Sequence, residues 1–320
     1  MGGEGSRLRP LTDNVPKPAL TLVDRPFLAY MVEWLGAHGV TEVVLACGFL
    51  PDRLREALGE VEREGIALTY VTEPERRGTA GAIRFAAEVL GERLEDRFLA
   101  LNGDVLTDLD LTGLLRSHAE RGARATIGLY EVHDAAAFGL VDCDAEGTVL
   151  TFTEKTGVVA PGEVNAGAYV LERSVLDLIP RDRAVSIETE VFPRLIGDGL
   201  CARLLDGYWM DIGTHERYLQ ATWDILEGRV ATEVRPTAPG LFLGDGCAVD
   251  GSAQVGPRAV VSSGCEVGAA ATVADSVLLE GCTVGAGARV SGSILAPGAV
   301  VEPGAQLVDT MVAENERVAA

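Results

Sequence analysis

Lysine is nearly missing from this chain. Of its 27 basic residues only Lys17 and Lys155 are lysines, and every other one is arginine. An ammonium is a compact point charge and a guanidinium a broad planar fork, so the two are not interchangeable where geometry matters. Two lysines in an arginine background therefore read as selected positions. Cysteine is sparse as well. Cys47, Cys143, Cys201, Cys247, Cys265 and Cys282 form no Cys-x-x-Cys pair, which excludes a disulfide scaffold and points to reduced thiols in the cytoplasm. No apolar run is long enough to span a bilayer, and no secretory leader pattern is present. Positive charge is in deficit: the formal net charge is −21, which argues against nucleic acid or an anionic membrane as partner. A small anion can still be held by a local field. No Gly-x-x-x-x-Gly-Lys-Ser/Thr occurs, and the Gly-x-Gly-x-x-Gly spacing is absent from the glycine-rich start.

That start is what the rest of the chain is built around. Met1-Gly-Gly-Glu-Gly-Ser-Arg-Leu-Arg-Pro-Leu-Thr is followed by Pro16-Lys17-Pro18. Gly2, Gly3 and Gly5 lack a Cβ, so the backbone can turn sharply and present a row of N–H groups to an anion. Arg7 follows at once, and Lys17 sits between two prolines that limit its backbone. Glycine turn, guanidinium and ammonium together suit a polyphosphate. The plainer alternative is a mobile chain end, but Pro10, Pro16 and Pro18 stiffen the stretch.

These residues resemble the signature of the sugar-phosphate nucleotidylyltransferases, and the likeness runs from the first residue to about Val312. Ser6 stands where that family usually has Thr. The family begins with a short apolar strand ahead of the glycine loop, so the expectation is a start upstream of Met1 or a sheet lacking one central strand. The resemblance implies an α/β fold, with a Rossmann-like mixed or parallel sheet in a nucleotidyltransferase domain over residues 1–230. A left-handed parallel β-helix over 231–320 would follow. It further implies Mg²⁺, an NTP and a sugar 1-phosphate as ligands, and a homo-oligomer.

Along the chain, strands alternate with helices, the pattern of a parallel sheet covered on both faces. Apolar spacing predicts a helix from Pro26 to His38, strands at Val43–Ala46 and Ile66–Val71, and a helix from Pro51 to Leu58. Ligands on such sheets bind beyond the carboxyl ends of strands. The first such loop holds Arg77-Gly78-Thr79-Ala80, where Thr79 is a candidate cap for the next helix. Gly78 and Thr79 match the family's base-contacting loop, with Arg77 in place of Leu. Phe98-Leu-Ala-Leu-Asn102-Gly103-Asp104 puts one carboxylate at a strand tip. A lone Asp there is often only a turn residue, and it becomes a Mg²⁺ ligand when a second carboxylate joins it. The family resemblance assigns Asp104 to Mg²⁺ and Asp211, in Tyr208-Trp209-Met-Asp211-Ile-Gly213-Thr214, to the same ion. Trp209 reads as packing, and Thr214 as the cap of a helix carrying Tyr218 and Trp223.

Three further segments match the family's sugar-phosphate site. Gly139 stands in Phe138-Gly139-Leu-Val. Glu154 and Lys155 end the strand Val149–Glu154, with Thr156 where Pro is usual. Asn165 and Gly167 belong to Asn165-Ala-Gly167-Ala-Tyr169. The resemblance gives Glu154, Asn165 and Gly167 to the sugar and Lys155 to its phosphate. Arg7 and Lys17 go to the reacting phosphates. Taken alone, Glu154-Lys155 could be a surface ion pair of little worth.

From Leu241 valines and leucines recur every six residues, with five-residue steps at Asp275-Ser276, Gly292-Ser293 and Asp309-Thr310. A fixed short period is the mark of a stacked solenoid. Acyltransferases share such repeats. Yet His38, His118, His133 and His215 all precede this one, leaving it no histidine base. The repeat reads as structural, for oligomer contact or regulation. The expected reaction joins an NTP to a sugar 1-phosphate with release of pyrophosphate. Asn165-Ala-Gly167 and overall likeness favour GTP and mannose 1-phosphate over UTP or dTTP and glucose 1-phosphate. A non-catalytic nucleotide-sugar-binding regulator is the alternative of another class.

Overall fold

Eleven residues, Gly162–Glu172, make one long strand that pairs with three others, and the first half of the protein is arranged about it. In a computed structural model, residues 5–48, 50–59, 65–154, 157 and 159–320 are described. In chain order the strands before the repeat are β1 (Thr21–Leu22), β2 (Arg25–Pro26), β3 (Glu42–Cys47), β4 (Ala67–Thr72), β5 (Arg97–Leu101) and β6 (Val105–Thr107). They continue with β7 (Ala125–Val132), β8 (Gly139–Cys143), β9 (Val149–Glu154), β10 (Gly162–Glu172), β11 (Leu200–Leu204) and β12 (Trp209–Asp211). The helices are α1 (Phe27–Ala37), α2 (Pro51–Leu58), α3 (Gly78–Leu90), α4 (Leu111–Arg121), α5 (Phe192–Leu195) and α6 (His215–Leu226). Contacts divide the chain into two compact units. One holds Leu35–Pro51 and Glu60–Trp209; the other holds Gly3–Trp34, Asp52–Gly59 and Met210–Ala320.

In the first unit the main sheet is mixed rather than parallel. β10 runs antiparallel to β5, β7 and β8, and β8 to β9; only β11 runs parallel, beside β7. β3 and β4 form a separate parallel pair. The core carries Ile127 and Leu129 of β7, Tyr169 and Leu171 of β10, and Val185, Ile187 and Phe192 beyond it, all 2% exposed or less. Tyr169 and Phe192 meet edge to face at 5.1 Å, a geometry that adds about 0.5–1.5 kcal/mol to their area burial. Asp110 caps α4 through Gly113 N–H, and Gly122 ends it in the left-handed conformation. His118 on α4 is fully buried. Its Nδ1 pairs with Thr126 at 2.8 Å and its Nε2 with Glu172 at 3.1 Å, while Arg97 holds Glu172 at 2.7 Å. Burial lowers the His118 pKa below its ordinary value, and the His118 and Arg97 contacts lower that of Glu172.

The second unit contains the repeat, a β-helix of about five coils consistent with left-handed winding. Its strands stack into three parallel sheets, of five, five and four strands. Ala259 pairs with Leu241 one coil back, 18 residues away, but with Ser276 one coil on, only 17 away. The five-residue steps in the sequence are thus single residues dropped from one corner. At that corner Asp275, Gly292 and Asp309 take positive φ of 48°, 58° and 47°. Beside them Ser276, Ser293 and Thr310 form a hydroxyl ladder. Ser276 Oγ accepts the Ser293 N–H at 3.1 Å, and Ser293 Oγ accepts the Thr310 N–H at 3.1 Å. Val261, Leu278, Leu295 and Val312 fill the interior at successive coils. None of the six cysteines is in a disulfide, and no helix among the described residues is long and apolar enough to cross a membrane.

Candidate functional site

The candidate residues fall into two clusters, one in each unit. In the second unit the backbone turns at Gly5, with φ 61° and ψ 28°, at the start of a 3-10 turn over Ser6–Leu8. Thr12 Oγ1 donates to the Gly5 carbonyl at 2.9 Å. A Cβ on Gly5 would meet Thr12 Cγ2 at 2.9 Å, so the turn tolerates only glycine. The predicted Gly2 and Gly3 lie outside the described residues. Lys17 is buried, and its Nζ stands 3.5 Å from Asp211 Oδ1. Arg217 Nη1 reaches the other oxygen, Oδ2, at 3.0 Å. Gly213 is bare where a Cβ would lie 2.8 Å from Arg7 Nη2 and 3.2 Å from Asp211 Oδ2. Three cations, Arg7, Lys17 and Arg217, are therefore gathered about one carboxylate. Thr214 caps α6 by accepting the Arg217 N–H at 3.3 Å, as its place in the sequence predicts. The buried Tyr218 hydroxyl donates to Thr21 O and ties α6 to the segment that follows Lys17.

The first unit holds the other cluster. β10 changes register between Asn165 and Tyr169, and Gly167 occupies the break with φ 73°. Asn165 Oδ1 accepts the Gly167 N–H at 3.0 Å, and its Nδ2 donates to the Tyr169 hydroxyl at 2.8 Å. The Gly167 carbonyl accepts the Asn102 N–H at 2.8 Å, which fixes the turn that presents Asp104. Trp209 Nε1 donates to Ala166 O at 2.8 Å while its ring stacks on Tyr130, so Trp209 packs as expected and is also tied to β10. Gly139 pairs with Glu154 across the β8–β9 ladder. Lys155, expected next to Glu154, lies outside the described residues. The Tyr169 phenol is raised far above its usual pKa by burial first. The charges of Glu188, Glu154 and Asp104 act in the same direction, whereas the Asn165 hydrogen bond opposes them. Asp104, Glu154 and Asn165 thus share one neighbourhood with Glu188.

Glu188 was not singled out from sequence. It lies on a π-helical turn, Ile187–Val191, a form often found at functional sites. Its carboxylate accepts the Thr79 and Ser186 hydroxyls, each at 2.7 Å. This also corrects the expected cap. α3 begins at Gly78 with Arg77 as its cap residue and no side-chain cap bond. The Thr79 hydroxyl is engaged instead with Glu188 and with the Ile187 N–H at 2.8 Å. Gly78, with φ 69°, lies so close to Val185 that a Cβ would fall 2.5 Å from its carbonyl oxygen. Arg77 stacks on Phe85 at 4.8 Å. Arg217 was missed as well. Its spacing within Asp211-Ile-Gly-Thr-His-Glu-Arg217 was the available signal.

Asp104 in the first unit and Asp211 in the second each offer carboxylate oxygens, the donor type that Mg²⁺ takes, and those of Asp211 are held here by Lys17 and Arg217. Among the described residues no three His, Cys, Asp or Glu gather into a cage. Mg²⁺ usually takes one or two protein carboxylates, with phosphate oxygens and waters completing its shell.

The nucleotidyl transferase family matches residues 1–228, and the GMPPB C-terminal domain matches residues 238–319. Mannose-1-phosphate guanylyltransferase from Mycobacterium tuberculosis is 38% identical over 272 residues, covering 84% of this chain and 75% of that protein. Mannose-1-phosphate guanyltransferase beta-B from Xenopus laevis is 37% identical, covering 83% and 72%. The crystal structure of HddC from Yersinia pseudotuberculosis complexed with GMP-PN is 28% identical with a TM-score of 0.61, covering 70% of this chain and 96% of that one.

Proposed function

The chain belongs to the nucleotidyl transferase family, and from that premise we propose that it condenses GTP with mannose 1-phosphate to give GDP-mannose and pyrophosphate. A phosphate oxygen of the sugar 1-phosphate attacks the α-phosphorus of GTP in line. The new O–P bond forms as the bond to the β-phosphate breaks, and pyrophosphate leaves. The attacking phosphate is already a competent nucleophile, so no serine, cysteine or strong base is needed. Catalysis is then positioning and charge neutralisation.

The observation that carries this reading is the gathering of Arg7, Lys17 and Arg217 about Asp211 beside the Gly5 turn. Arg7 stabilises the leaving pyrophosphate and the charge that grows on it. Lys17 bridges the reacting phosphates, and the N–H groups of Gly2, Gly3 and Gly5 cradle them. Lys155 holds the attacking phosphate. Gly78 and Thr79 bound the base, with Glu188 fixing Thr79. Gly139, Glu154, Asn165 and Gly167 bind the sugar, Glu154 accepting from its hydroxyls. Asp104 and Asp211 are the residues that would hold Mg²⁺, which when bound neutralises the α-phosphate. We also propose a domain boundary at 230–231, a cytoplasmic location, and a role for the β-helix in homo-oligomer contact or regulation.

A panel of GTP, UTP, dTTP and ATP with mannose and glucose 1-phosphates tests the assignment through pyrophosphate release in Mg²⁺. The expected result is strongest release with GTP and mannose 1-phosphate. Preference for UTP or dTTP with glucose 1-phosphate would overturn the substrates, and silence with every pair would favour a nucleotide-sugar-binding regulator.

A further inference from the structure

The first unit contains a cavity of about 230 Å³ that shares no residue with the two clusters above. Ser117 and Arg121 of α4, Arg203 and Leu204 of β11, Cys143 at the end of β8, and Glu163 of β10 line it. Its size lies below the roughly 300–1,000 Å³ of drug-sized pockets, which selects a small metabolite. Among the described residues neither Arg121 nor Arg203 has a carboxylate within ion-pair distance. Asp144, also on the wall, accepts the Thr148 N–H at 2.7 Å, and its pKa is lowered by that turn first and by the nearby Arg121 charge as well. Arg121 rests against bare Gly147, where a Cβ would come within 3.1 Å of its Nη2. The Cys143 thiol is pushed up to about 11, by burial first and then by Glu163, so it stays protonated and does not repel an anion.

We propose that this cavity binds a small phosphorylated polyol of the sugar-phosphate class. The guanidiniums of Arg121 and Arg203 take the phosphate, since the planar fork matches its oxygens and neither is held by a carboxylate at ion-pair distance among the described residues. The Ser117 hydroxyl and Glu163 carboxylate take ligand hydroxyls. A bare inorganic anion would leave Glu163 facing it without a partner, which is why a hydroxylated ligand fits better. The cavity has a physical route to the sugar cluster. The β8–β9 ladder pairs Cys143 with Val149 at the cavity end and Gly139 with Glu154 at the other. Thr148, in the connecting turn, bridges to Cys201 of β11. A ligand that tightens the turn therefore biases the position of Glu154. This coupling rests on the proposed transferase reading; the binding itself does not.

Isothermal calorimetry with glucose 6-phosphate and with inorganic phosphate tests the site on the full chain. Glucose 6-phosphate should bind, and the double variant Arg121→Gln/Arg203→Gln should weaken it about tenfold or more. Leu204→Trp, which fills the cavity mouth without removing charge, should abolish binding if the double variant fails to fold. Neither substitution should alter pyrophosphate release in the absence of the probe. With glucose 6-phosphate present, the KM for mannose 1-phosphate should shift in the natural protein and not in Leu204→Trp. No binding, or equal binding by both variants, would overturn the site. Inorganic phosphate binding as tightly as the hexose phosphate would overturn the polyol assignment, and binding without a KM shift would overturn the coupling. Calorimetry needs no turnover, so a protein without transferase activity would still answer the first question.

Discussion

Substituting Gly167 by alanine should separate folding from chemistry. Gly167 has φ 73°, a region where an L-residue with a Cβ is disfavoured by about 1–2 kcal/mol. The new Cβ would lie 2.6 Å from Nδ2, 2.8 Å from Cγ and 2.9 Å from Cβ of Asn102. The last of these atoms is next to the backbone, so relief requires the Asn102 main chain to move by about half an ångström, not a rotamer change. Asn102 begins the turn that presents Asp104. A misplacement of about 1 Å can cost about a hundredfold in rate, so turnover should fall about ten- to a hundredfold. Gly197→Ala is the control. Gly197 has φ 77° with nothing within 4 Å of its Cβ position, so it carries the conformational cost without the collision. Thermal melts should show both variants folded, with Gly167→Ala the more weakened of the two, and steady-state pyrophosphate release should fall only in Gly167→Ala. Turnover of Gly167→Ala within about twofold of the natural protein, or an equal loss in Gly197→Ala, would refute the argument.

Glu188→Gln keeps acceptors for Thr79 and Ser186 but removes the charge. Charged hydrogen bonds exceed neutral ones by roughly 1 kcal/mol or more, so the melting temperature should fall by roughly 2–4 °C and, with Thr79 held less firmly, kcat/KM for GTP should drop about tenfold. Ser293→Ala deletes a buried hydroxyl that accepts the Thr310 N–H and donates to Ser291 O, and should lower stability by about 1–3 kcal/mol in a melt while turnover is kept. His118 has a folded pKa below its ordinary 6.5, so the unfolded chain binds the extra proton as pH falls through that value and stability is lost in acid. Melting temperatures should drop more steeply from pH 7.5 to 5.5 in the natural protein than in His118→Gln.

The parts of this protein that could be read from its sequence are those whose partners are close in the chain or written as a period. Gly5 and Lys17 stand within one short stretch, and the β-helix repeats its valines often enough that even the dropped corner residues appear as five-residue steps. Long-range pairing was illegible. Thr79 looked like a helix cap because the local pattern allowed it, but its hydroxyl bonds to Glu188, 109 residues away. Glu188 itself sits in a π-helical turn that no simple periodicity announces. Strand direction could be read only as mixed or parallel, because alternating strands and helices suggest a parallel sheet whereas the antiparallel pairing of β10 is settled by contacts far along the chain. Arg217 carried the helical spacing of a solvent-facing arginine, and only the fold sets it against Asp211.

Phosphorus NMR of the protein mixed with GTP, mannose 1-phosphate and Mg²⁺ tests nucleotide transfer most directly. Pyrophosphate and GDP-mannose should appear together, in equal amounts, as both substrates are consumed, and both signals should be lost in Arg7→Ala with its circular dichroism intact. Loss of GTP without consumption of the sugar phosphate, or the same product signals from Arg7→Ala, would contradict it.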